Sequence, residues 1–213
     1  MSTQGVHFCG CFESGGIFAN FADIWCFMFY FIKSSFRRRA LRGVKPFNGV
    51  KQEFPQMGKD MELGILCKVD NMADVVAFEE MVQFLKGFGR LDGAVVEGKK
   101  CFKAVGAREE FEEFCKRENI LFLSKGCTDW KGMPDSQELE GFYSRKRDLM
   151  ITINPEMDFT LDYIAKCAAS GFTTAIHSTS GVPYNLVLEP GEQSLTFREY
   201  AEKLLGYIEM MQQ

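Results

Sequence analysis

The sequence predicts an α/β fold: one mostly parallel sheet with helices packed on both sides. Two observations carry that expectation. From residue 61 onward, apolar runs of strand length alternate with amphipathic stretches at helical spacing. Hydrophobic residues make up 46% of the chain and aromatics 14%, which is ample material for a buried core.

The elements follow in order. Residues 61–69 (MELGILCKV) form a short, nearly continuous apolar run, as a strand buried on both faces requires. Residues 71–86 repeat Val75, Phe78, Val82 and Leu85 at helical spacing, and Gly87 supplies a stop. Residues 93–97 (GAVVE) read as the second strand, with Gly87-Phe-Gly89 before it as a helix cap. A charged helix over 109–117 places Phe111 and Phe114 on one face, and residues 119–124 (NILFLS) make the third strand. Pro134, Asp135 and Glu138 read as the start of a further helix with a capping box.

Residues 148–153 (DLMITI) are the fourth strand. Asp158 caps a helix to about Ala169, whose inward face is Leu161, Ile164, Ala165 and Ala168. Residues 172–176 are the fifth strand. Residues 184–188 (YNLVL) are the sixth, expected to pair antiparallel with the fifth because the two lie close in sequence. Ser194 or Thr196 caps a last helix carrying Phe197, Tyr200, Leu204 and Ile208. Together these make a three-layer, Rossmann-like sheet of five to six strands with right-handed crossovers.

Charge is distributed unevenly. The seven bases Lys33, Arg37, Arg38, Arg39, Arg42, Lys45 and Lys51 fall between residues 28 and 52, where there is no acid. Of 25 bases this leaves 18 after residue 52; of 29 acids, only Glu13 and Asp23 precede it, leaving 27 and a net charge of −9. An acidic body repels a phosphate backbone, so nucleic-acid binding is not expected there.

The chain divides into an atypical extension (1–27), a basic amphipathic helix with its linker (28–60) and the α/β domain (61–213). In the extension, the apolar run 17–32 falls short of a membrane span and holds Asp23 near its middle. Three readings stay open: upstream sequence translated in frame ahead of a start at Met28, a membrane anchor, or an ordered element. In the basic helix, Phe29, Ile32, Phe36 and Ala40 recur at helical spacing, with Lys33, Arg37, Arg38 and Arg42 on other faces.

Eight cysteines show no CxxC pair and no disulfide framework, which fits a reducing, cytoplasmic setting. Cys67, Cys115 and Cys167 read as small core hydrophobes. His7-Phe-Cys9-Gly-Cys11 matches no common zinc spacing.

LGILCKVDN, the Trp130-x-Gly132-x-Pro134 turn with Ser136 and Glu138, DLMITIN, FTLDYIAKCAASGF and YNLVLE together resemble an uncharacterised bacterial family of Bacteroidetes type, from about Met28 to the C-terminus. That resemblance implies an α/β fold and no catalytic residues. DLMITINPEMDFTLDYIAKCAASGF is also similar in pattern to one half of heptosyltransferase-like glycosyltransferases. A second domain for the sugar nucleotide has no room here, so this likeness implies architecture alone.

In such sheets ligands bind beyond the carboxyl ends of the strands. Those positions hold Asp70 and Asn71, then Thr128, Asp129 and Trp130, then Asn154, Glu156 and Asp158, and finally His177 and Ser178. Asp129, Trp130, Asn154 and His177 are the candidate ligand residues; Asn71 and Asp158 read first as helix caps. Asp70, Asp129, Glu156 and Asp158 have the oxygen chemistry for Mg²⁺, but scattered acids on an acidic chain are weak grounds, and neither a metal nor a cofactor is expected. GxGxxG after the first strand and GxxxxGK[ST] are both missing.

Two functions follow. One is a non-catalytic module that engages a protein partner or the inner membrane surface through Lys33, Arg37, Arg38, Arg39 and Arg42. The other is a small enzyme or ligand binder at the carboxyl-end rim.

Overall fold

The computed structural model describes residues 21–212 except 45–52, 59, 99–100, 131, 135–136, 154–157, 178–181, 190 and 192–194. Side chains are described from Met28 onward, Lys125 and Glu138 excepted. The chain forms two compact units, Met1–Ser35 and Phe36–Gln213. The first helix, α1 (Phe21–Gly43), begins in one and ends in the other.

In the first unit, residues 28–32 of α1 are a run of five apolar side chains, each between 43% and 72% exposed. No described helix is long and apolar enough to cross a membrane.

The second unit holds one six-stranded, wholly parallel sheet in the order β3-β2-β1-β4-β5-β6. The strands are β1 (Met61–Val69), β2 (Gly89–Glu97), β3 (Ile120–Leu123), β4 (Arg147–Ile153), β5 (Ser170–Ala175) and β6 (Leu186–Val187). The helices between them are α2 (Met72–Leu85), α3 (Ala107–Arg117), α4 (Glu138–Ser144) and α5 (Phe159–Cys167), with α6 (Phe197–Met211) last.

Strand pleating divides the core. On one side, Ile65, Cys67 and Ile151 pack under Phe78 of α2, Phe111 of α3 and Leu204 of α6. On the other, Leu66 and Met150 pack under Phe142 of α4, Ile164 of α5 and Leu41 from the end of α1. Alternate residues of each central strand thus face opposite layers, which is why those strands read as unbroken apolar runs.

Three expectations need correction. The last strand pairs parallel to β5, not antiparallel. The Asn185 amide bonds to the Thr173 carbonyl and the Leu188 amide to the Ala175 carbonyl, so β6 runs alongside β5 in the same direction. The fourth helix begins at Glu138 behind Gln137, without a side-chain cap; Asp135 lies outside the described residues. Gly89 is no helix cap but the first residue of β2, where a Cβ would fall 2.0 Å from the Met61 carbonyl oxygen.

Candidate functional site

The strand order reverses between β1 and β4, so the crevice at their carboxyl ends is where this architecture offers a ligand seat. Its walls come from the β1–α2 junction and the start of α5. Lys68, near the end of β1, reaches Asp70 at 3.4 Å and Asp158 at 3.3 Å. Burial works against its charge, but the attraction of Asp158 and Asp70 outweighs that and raises the ammonium pKa above its ordinary value. Lys68 is thus held as a cation between two carboxylates.

Both adjoining helix N-termini are closed by the chain's own carboxylates and amides. Asn71 accepts from the Asp74 amide at 3.0 Å, while the Asp74 carboxylate accepts from the amides of Asp70 at 2.8 Å and Asn71 at 3.2 Å. Asp158 accepts from Thr160 at 2.9 Å and Leu161 at 3.3 Å. The sequence reading of Asn71 and Asp158 as caps thus agrees with the geometry. Gly98 closes the β2 side: its amide donates to Val69 at 2.8 Å, and a Cβ there would fall 1.9 Å from Asp70 Oδ1. A phosphate entering this crevice would meet Asp70, Asp74 and Asp158 where a phosphate-binding loop offers free N–H groups.

The loop after β3 folds toward α5. Asp129 organises it, its amide donating to the Met133 carbonyl and its carboxylate accepting from the Met133 amide, both at 2.9 Å. Gly132 takes a left-handed φ of 87°, and its carbonyl accepts from Thr160 Oγ1 at 2.8 Å. Trp130 is 52% exposed and meets the Phe36 ring edge-on at 6.0 Å. Beside it, the Arg37 guanidinium lies 5.1 Å over the Phe159 ring. Asp129 and Trp130 therefore share a turn tied to the start of α5.

His177 is half-buried, just past the end of β5 on the neighbouring strand, and Asn154 lies outside the described residues. Arg38, Arg39 and Arg42 are exposed, whereas Arg37 and Lys33 are half-buried. Among the described residues, no group of three or more His, Cys, Asp or Glu side chains is placed to hold a metal ion.

Sequence reasoning missed a buried cluster at the opposite end of the sheet. Arg147, at the start of β4, crosses β1 to Asp92 of β2, which Arg145 also reaches at 3.2 Å. The only local signal was Gly64 inside a strand: a Cβ there would fall 2.3 Å from Arg147 Cδ.

Residues 45–211 match the family model described as a family of unknown function, DUF6913. The chain belongs to that family. The DUF6913 match begins at 45, later than the resemblance expected from about Met28, so the basic residues 33–42 precede it. No curated protein and no solved structure matches the chain.

Proposed function

We propose that this DUF6913 chain is a non-enzymatic module that settles on an anionic membrane surface of the cytoplasm through α1. The exposed apolar run 28–32 carries the reading, with exposed Arg38, Arg39 and Arg42 further along the same helix. Aromatic and aliphatic side chains left in water gain by entering the interfacial region, and arginines gain from anionic headgroups. The caps at the two helix N-termini beside the strand reversal support a role without nucleotide chemistry, since their N–H groups are already engaged.

Co-sedimentation of the full chain with vesicles tests the proposal. Pelleting with phosphatidylglycerol-containing vesicles, weak pelleting with phosphatidylcholine alone and release by salt support it. Recovery in the supernatant with both kinds removes it.

A second reading, a small ligand bound at the rim by Asp129, Trp130, Asn154 and His177, draws support from the Thr160–Gly132 bond that ties the Trp130 turn to α5. A small-molecule thermal-shift screen of the wild type and Trp130→Ala tests it. Ligands that stabilise the two proteins equally exclude Trp130 from that role.

A further inference from the structure

Among the described residues, the sheet ends on one side at β3, whose partner within it is β2 alone. Natural edge strands are usually blunted by lysine, proline or a bulge. Here the edge is Ile120-Leu121-Phe122-Leu123, with none of these, and Leu121 and Phe122 are half-buried.

Two clefts flank this strand. One, of about 460 Å³, lies between β3 and a single stripe of α3 formed by Arg108, Glu112, Cys115 and Lys116. The other, of about 280 Å³, lies toward α4 and is lined by Lys116, Asn119, Gly141 and Arg145 among others. They share Lys116, Ile120 and Leu121, so each side of the strand edge has its own recess.

Charge indicates the occupant. Lys116 is exposed and lines both clefts, and Arg145 shares the single carboxylate of Asp92 with Arg147, so positive charge is in excess here on a body that is otherwise acidic. In the wall of the larger cleft, Arg108 reaches Glu97 at 3.5 Å and Glu112 at 3.4 Å through Nη2, while its buried Nε has no acceptor among the described residues.

We infer that the β3 edge receives an extended, acidic segment of a partner protein as an added seventh strand. Strand addition to a sheet edge beside a helix takes its affinity from main-chain hydrogen bonds. Its specificity comes from alternate side chains, which here enter the α3 and α4 clefts in turn. Acidic side chains meet Lys116 and Arg145 there.

Selection of the full chain against a phage-displayed library of random peptides tests this. Enriched peptides should be acidic, and Lys116→Glu should weaken the best of them roughly tenfold, the size of one lost charge pair. Gly141→Trp should block the smaller cleft without unfolding the chain, because a Cβ at Gly141 meets nothing within 4 Å. No enrichment, enrichment of neutral or basic peptides, or peptides held equally by both variants would overturn the inference. So would a wild-type dimer in sedimentation equilibrium that Lys116→Glu dissociates, since a second copy would then occupy the edge.

Discussion

Arg147 clasps Asp92 across the intervening strand, Nε to Oδ1 at 2.6 Å and Nη2 to Oδ2 at 2.7 Å. Both residues are buried, and the guanidinium also lies 3.9 Å over the Phe142 ring. The pair links β4 to β2 over Gly64, where the missing side chain leaves the passage. Removing one partner strands a buried charge, which costs about 3–5 kcal/mol. Asp92→Ala should therefore destabilise the protein strongly in urea. The double variant Asp92→Ala/Arg147→Met should recover part of the loss.

The end of α1 belongs to the packed body. Leu41 is buried against the α4–α5 layer, and Lys166 Nζ donates to its carbonyl. Leu41→Ala should cost about 2–5 kcal/mol. Deleting residues 28–42 would thus confuse folding with binding, and exposed arginines are the better targets. Chemical denaturation of Leu41→Ala checks this; an unchanged midpoint would detach Leu41 from the core.

The thiols should be slow nucleophiles. Burial pushes Cys115 up to about 12 and Cys167 up to about 11, and it also raises fully buried Cys67. Labelling with a thiol reagent near pH 8 should leave Cys67 and Cys115 unmodified in the native protein and modify them in denaturant. Mass spectrometry of the labelled peptides reads the result.

Glu118 gives a pH signature. The hydrogen bond from Lys86, at 2.7 Å, leads the effects that hold its carboxyl below the ordinary glutamate value of 4.5. A lowered folded-state pKa adds stability above 4.5 that is lost as pH falls through the folded value. Wild type should exceed Glu118→Gln in stability at neutral pH, and the difference should vanish below that range. Paired urea titrations across pH measure it.

Local chemistry was legible and distant pairing was not. Asn71 and Asp158 could be read as caps because a cap depends on the next three residues. The β1 and β4 runs announced themselves because burial on both faces leaves little room for polar residues. Lys68 between Asp70 and Asp158 depends on β1 and β4 being neighbours, which no single segment encodes. Arg147 and Asp92 lie 55 residues apart and meet only through strand order. The direction of β6 depends on where Asn185 meets Thr173, and proximity in sequence pointed the wrong way. Of the candidate rim, the Asp129–Trp130 turn could be foreseen from Gly132 and Pro134, but not its attachment to Thr160.

The most direct measurement compares vesicle binding by wild type and Arg38→Glu/Arg39→Glu/Arg42→Glu, after circular dichroism confirms that both are folded. Each arginine near an anionic surface contributes about 1 kcal/mol, so the variant should lose at least about 100-fold in partitioning to phosphatidylglycerol vesicles at physiological salt. Equal partitioning by the two folded proteins would contradict a membrane role for α1.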